Sequence, residues 1–163
     1  MTFFSKSKGV TVFELVIVVA VLLILATILI IVIKPGILFS ETRDKKRISD
    51  VSTLERIIVE HLVDTQSYPG TANTTYFSDT LPTGGTDLSN VSSGWLGVNS
   101  TLAQYYPKLP LDPNNNTTYR YIYRHNGTSY EINVRLESDT QSMTNDGGNS
   151  SNFYEIGNDL TLL

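Results

Sequence analysis

A chain of 163 residues with a formal net charge of −4 has room for one small domain and an appendage. It has no cysteine, which excludes disulfides and thiolate chemistry. From Thr65 onward Lys108, Arg120, Arg124 and Arg135 are the only bases, against nine Asp or Glu, so this region lacks the basic footprint that nucleic acid requires. The same region is rich in Asn, Ser, Thr, Gly and Tyr, a composition suited to a wet exterior surface.

The first eight residues carry Lys6 and Lys8 and no acid. Val10–Ile33 is then apolar except at Thr11, Glu14 and Thr27. The uncharged stretch Leu15–Ile33 is about 28 Å long as a helix, close to the thickness of a bilayer core. It is too long for a strand, and in lipid its backbone must bond internally, which predicts a helix. An ordinary secretory signal has a shorter apolar region and a small-residue cleavage site after it, and neither feature is present. Glu14 is costly in such a segment unless it stays near an interface or meets a cation. Scission after Gly9 would place a new α-ammonium on Val10, four residues before Glu14, and would create that cation at the tip of the apolar helix.

Pro35-Gly36 predicts a kink or short break. The helix then resumes to about Val63. Ile48, Val51, Leu54, Ile58 and Leu62 step by three and four along one face, and Glu41–Lys45 and Arg56–Glu60 are i,i+4 pairs on outer faces. A continuous rod from Val10 would be about 80 Å long. Residues 65–118 read as a long connection punctuated by Gly84-Gly85, Ser93-Gly94 and Asn114-Asn115-Asn116, with Trp95, Leu96, Leu102, Tyr105 and Tyr106 as anchors. Tyr119–Tyr123 and Tyr130–Leu136 read as strands around an Asn126-Gly127 hairpin turn. Tyr130, Ile132, Val134 and Leu136 form an apolar face to cover the helix. Phe153–Ile156 and Leu160–Leu163 are further strand candidates.

His61 on the helix and His125 in the hairpin loop are the only histidines, which leaves no basis for a zinc site or a Ser-His-Asp triad. No Gly-rich phosphate loop follows a strand. No catalytic residue emerges, and the expected role is structural. Residues 137–152 contain Asp139, Asp146 and Asn149, and oxygen-rich loops of this kind can hold calcium. A solvated loop is the preferred reading. Asn-x-Ser/Thr triplets, as at Asn73, Asn90, Asn99, Asn126 and Asn149, follow from composition alone.

The run Lys8-Gly9-Val10-Thr11-Val12-Phe13-Glu14-Leu15 resembles the class III signal of type IV prepilins and pseudopilins. Arg43 to Val51, Ser67-Tyr68-Pro69, Leu109-Pro110-Leu111-Asp112-Pro113 and Tyr119-Arg120-Tyr121 resemble regions of the same family. Val10 replaces the more usual Phe or Met, and Leu23 stands where many relatives have Gly. The resemblance implies a leader, residues 1–9, cut between Gly9 and Val10 by a prepilin peptidase, with N-methylation of Val10. It implies a transmembrane and filament-core helix over 10–64 and an exterior domain over 65–163, with its sheet in 119–163. The fold would be α+β and pilin-like, a long N-terminal helix with a small antiparallel sheet on its C-terminal half. Val10, Thr11 and Glu14 would serve assembly. Major pseudopilins also bind calcium near the place of the 137–152 loop.

The flanking charges, Lys6 and Lys8 against Lys34, Arg43, Lys45, Lys46 and Arg47, would by themselves put the other end inside. The resemblance implies an inside N-terminus and an outside C-terminal domain. The expected partners are membrane lipid, an inner-membrane assembly platform, and copies of the chain in a helical homopolymer at the cell surface. Two alternatives stay open. One is a pseudopilin of a type II secretion or DNA-uptake machine. The other is a membrane-anchored adhesin or glycan-binding module.

Overall fold

The computed structural model describes residues 9–83, 85, 87–96 and 106–163, in two compact units that divide between Leu38 and Phe39. Lys6, Lys8, Gly84, Asn99, Leu102 and Tyr105, named above, lie outside the described residues.

The first unit holds helix α1, Val12–Ile33, none of whose 22 residues is buried. Its N-terminus is closed by a capping box between Thr11 and Glu14. Its polar interruption, Thr27, donates its hydroxyl to the Leu23 carbonyl at 2.8 Å and so hides its own polarity. The helix ends at Lys34, which takes a left-handed conformation (φ 46°), and Pro35 opens the next helix, α2, Pro35–Thr65. The expected break is therefore a single residue, Lys34. Pro35 is at a helix start, where its missing N–H costs nothing.

From Phe39 onward α2 lies against a four-stranded antiparallel sheet in the order β1 (Thr75–Phe77), β2 (Tyr121–His125), β3 (Tyr130–Val134), β4 (Tyr154–Gly157). A short helix, α3 (Thr140–Thr144), stands between β3 and β4. This is the expected α+β class. Val51, Leu54 and Ile58 are fully buried, Ile48 and Leu62 partly, and Ile57 joins them. Against this face the sheet presents Tyr121, Tyr123, Tyr130, Ile132 and Val134. The Tyr121 and Tyr130 hydroxyls donate to Asp50 at 2.8 Å and Glu55 at 3.1 Å, so a tyrosine-rich core keeps its polar ends satisfied on the helix. Trp95 and Leu96 anchor the long connection as expected, with Val91 and Leu109. The Trp95 indole donates to the Pro110 carbonyl at 3.2 Å.

Several expectations are corrected. The first strand of the hairpin runs over 121–125 rather than 119–123, so His125 is a buried strand residue between Tyr68 and Tyr123 rather than a loop residue. The turn itself is where Asn126-Gly127 predicted it. Asn126 Oδ1 accepts from the N–H groups of Thr128 and Ser129, and Gly127 has φ 97°. β1 falls inside the segment read as loop. Leu160–Leu163 forms no strand. The apolar face expected of β3 is present, with Tyr130, Ile132, Val134 and the following Leu136 in the core, but Glu131 and Asn133 on the other face are buried as well. The i,i+4 ion pair that α2 forms is Lys46–Asp50, and neither expected pair is among those of the described residues.

Candidate functional site

Two sites carry unusual chemistry, one in each unit. The first is the tip of α1. Gly9 and Val10 lie in an exposed non-helical segment, and a Cβ at Gly9 would meet nothing within 4 Å. Thr11 follows in extended geometry (φ −79°, ψ 154°). Glu14 Oε2 accepts from the Thr11 N–H and from the Thr11 hydroxyl, both at 2.8 Å, while Thr11 Oγ1 accepts from the Glu14 N–H at 3.3 Å. Of the candidate residues, Thr11 and Glu14 are thus in contact, and Gly9 and Val10 directly precede them in the chain. The carboxylate is folded back over the first turn, where the helix dipole favours a negative charge.

The second site is a charged hub at the start of the α2 face. Arg47 is fully buried. Its Nε donates to Asp112 Oδ2 at 2.6 Å and its second terminal nitrogen to Asp112 Oδ1 at 3.1 Å, a bidentate grip. Its other terminal nitrogen meets Asp44 Oδ1 at 2.9 Å and Glu137 Oε1 at 2.7 Å. The guanidinium carbon lies 4.9 Å from the centre of the Tyr119 ring. Arg43 closes a second bidentate pair on Glu137.

The carboxylates also organise backbone. Asp44 accepts from the N–H groups of Glu137, Ser138 and Asp139, and Asp112 from those of Asn114 and Asn115. One helix segment therefore holds both the turn after Pro110 and the exit of β3. Burial works to raise the Asp44 pKa, but these N–H groups and the Ser138 hydroxyl outweigh it and hold the carboxyl below its usual range. Arg43 and Arg47 hold Glu137 low, against some opposition from burial. Burial opposes the charge on Arg47, and hydrogen bonds to Asp112 and Glu137 more than restore it.

Sequence reasoning did not find this hub, although a signal was present. Asp44, Arg47, Val51, Leu54 and Ile58 continue one helical stripe by steps of three and four, whereas the face expected from apolar residues alone begins at Ile48.

The loop candidates take other places. Asp139 caps α3, accepting from the Ser142 N–H at 3.0 Å and its hydroxyl at 2.6 Å. Asp146 accepts from the N–H groups of Gly148 at 2.9 Å and Glu155 at 2.7 Å. Asn149 is exposed. Among the described residues, no three Asp, Glu, His or Cys side chains are placed to hold a metal ion. Burial lowers the pKa of His61 and of His125, which favours the neutral imidazole in both. Comparison with family models, with curated proteins and with solved structures finds no match to this chain.

Proposed function

We propose that the chain is a prepilin-type subunit of an extracytoplasmic filament. Residues 1–9 are removed between Gly9 and Val10, Val10 is methylated, and α1 waits in the cytoplasmic membrane with residues 65–163 outside. Copies then leave the lipid and pack through α1 into a helical homopolymer. A prepilin peptidase and a membrane assembly platform are the partners this route requires.

The observation that carries the reading is α1 itself. It is long and apolar enough to cross a membrane, no residue of it is buried, and its first turn carries an acid. Each exposed Å² of apolar surface costs about 25 cal/mol in water, so the helix needs lipid or its own copies around it. An anchor alone has no use for the Glu14 charge beyond closing the first turn of α1. A subunit has one, because the Val10 ammonium of an incoming copy would neutralise the Glu14 carboxylate of a copy already in place and set the axial register.

Mass spectrometry of surface and membrane fractions, with electron microscopy of sheared material, tests the proposal. The expected result is a mature N-terminus at methylated Val10 in protein recovered from filaments. An intact Met1, or a start after Ala26, would overturn it.

A further inference from the structure

Asn126-Gly127, at the tip of the β2–β3 hairpin, is the only asparagine–glycine pair in the chain. Asn126, Gly127 and Thr128 are all exposed, and the Asn126 N–H closes the turn on the Ser129 carbonyl at 3.0 Å. The Asn126 side-chain oxygen gathers the turn's other donors. Oδ1 accepts from the Thr128 N–H at 2.9 Å, the Thr128 hydroxyl at 2.9 Å and the Ser129 N–H at 2.8 Å. Donors at these distances from one carbonyl oxygen form an oxyanion hole. They polarise the carbonyl, and they hold more strongly as negative charge develops on the oxygen.

A nucleophile stands beside the polarised carbon, Asn126 Cγ. The Gly127 nitrogen follows Asn126 directly in the main chain, so its attack on Cγ closes a succinimide ring. The Gly127 N–H and Asn126 Nδ2 have no hydrogen-bond partner among the described residues. The first is free to give its proton to solvent, and the second is free to leave. Even a Cβ at Gly127 would meet nothing within 4 Å, so the ring has room to form. Elsewhere these features separate. The N–H that follows Asn73, Asn115 or Asn149 is bound, by Thr71, Tyr119 and Glu155 respectively. Asn116 has two N–H donors on its Oδ1, but the next residue, Thr117, is β-branched and crowds the attacking nitrogen.

We propose that the folded hairpin converts its own Asn126 amide to a carboxylate, with water as the co-substrate. Water or hydroxide takes the Gly127 N–H proton, and the nitrogen bonds to Asn126 Cγ. The electron pair of the Cγ–Oδ1 double bond moves onto Oδ1, beneath its donors. It returns as the Cγ–Nδ2 bond breaks, and Nδ2 takes a proton from water and leaves as ammonia. A water molecule then opens the succinimide at Cγ, which gives aspartate, or at the main-chain carbonyl carbon, which gives isoaspartate. Nothing is oxidised or reduced, since amide and water become carboxylic acid and ammonia. Both products place a negative charge at the exposed hairpin tip. Aspartate keeps an acceptor for the Thr128 and Ser129 donors, whereas isoaspartate carries the main chain through Cγ and lengthens the turn. The reaction requires water and the folded turn, and neither a membrane nor a filament.

The test uses the full chain in detergent micelles, as wild type and as Thr128→Val, each incubated at mildly alkaline pH both folded and unfolded in denaturant. Peptide mass spectrometry with electron-based fragmentation follows each asparagine and separates aspartate from isoaspartate. In the folded wild type Asn126 should convert before the other asparagines. Thr128→Val removes the hydroxyl donor and should slow that conversion by about threefold to tenfold, the worth of one ordinary hydrogen bond. The same substitution should leave the unfolded rate unchanged. Equal folded rates in wild type and variant would overturn the proposal, because the dipeptide and not the turn would then set the reaction. Earlier conversion of another asparagine in the folded wild type would overturn it as well. If Thr128→Val does not fold, the wild type decides alone. Conversion of Asn126 at least as fast folded as unfolded supports the proposal, and slower conversion in the folded chain refutes it.

Discussion

The most apolar segment of this chain is its most exposed, and its bulkiest charged group is among its most buried. Every residue of α1 faces outward, whereas Arg47 of α2 is sealed from solvent. What differs is the partner each segment has within one copy. Arg47 finds Asp44, Asp112, Glu137 and a tyrosine ring within its own domain, which together replace its water. No residue of α1 is buried, and under the function proposed above lipid or other copies would surround it. A helix built to be completed from outside stays apolar all round, and a helix completed from inside can bury charge.

The sharpest way to break the comparison is to unpair the buried charge. Arg47→Met leaves Asp112 and Asp44 facing a thioether, and removing one partner of a buried pair costs about 3–5 kcal/mol. Chemical denaturation of the full chain in micelles should show a loss of that size, or no cooperative transition for residues 39–163. Helicity from α1 should persist. A loss below about 1 kcal/mol, the range of surface pairs, would mean the hub is not desolvated.

The mirror experiment concerns the charge on α1. Glu14→Ala removes both the cap and the charge, whereas Glu14→Gln keeps an acceptor for the Thr11 N–H and hydroxyl but loses the charge. If charge pairing drives assembly, both variants should be cut after Gly9, remain in the membrane, and give at least about tenfold less sheared filament, which corresponds to about 1.4 kcal/mol per contact. Wild-type yield from Glu14→Gln with low yield from Glu14→Ala would assign Glu14 a capping role alone.

How much of this was legible follows the same division. The helix α1 was visible because an unbroken run of twenty-odd residues, nearly all apolar, is too long for a strand. The Val51–Leu54–Ile58 face was visible because periodicity reports apolar burial. Arg47 was not, because its partners Asp112 and Glu137 lie far along the chain and no local pattern announces a charge destined for the interior. β1 was missed because three residues, Thr75–Phe77, hold no period and are recruited by pairing with β2. The hairpin register slipped by two because Tyr119 continues the aromatic alternation of Tyr121 and Tyr123. Tyr119 is instead held by Asn116, whose side chain accepts its N–H, and it stacks on Arg47. β3 keeps its expected alternation, and what no local pattern announced is that Glu131 and Asn133 on its other face are buried too, Glu131 under the backbone of Leu162 and Leu163.

Acid offers a milder perturbation of the hub. Asp44 and Glu137 have lowered pKa values, so the unfolded chain binds more protons than the folded one as pH falls. Their stabilisation is present above the unfolded carboxyl pKa of about 4 and is lost as pH drops through the lower folded values. The melting temperature should fall below about pH 4, and Asp44→Asn should flatten that limb. An unchanged limb in the variant would place the acid sensitivity elsewhere.

The smallest effects come from glycine, and here the two units should respond with opposite signs. Gly127 sits in the hairpin turn at φ 97°, a conformation open to glycine and strained for any residue with a Cβ. Nothing lies within 4 Å of its Cβ position, so Gly127→Ala meets no clash and reports backbone strain alone, about 1 kcal/mol of destabilisation. Gly36 lies in the first turn of α2, also with nothing within 4 Å, and its helical backbone suits alanine. Gly36→Ala should therefore add about 0.5–1 kcal/mol to local helix stability through the lost entropy of the unfolded chain. Melting of residues 39–163, followed by near-ultraviolet dichroism of their tyrosines and Trp95, should fall for Gly127→Ala and hold for Gly36→Ala. Amide exchange around Ile37 and Leu38 should slow only in the latter. If Gly36→Ala instead speeds exchange there, the helix start after Lys34 depends on glycine's freedom, and the single-residue break would be a hinge that the sequence keeps loose.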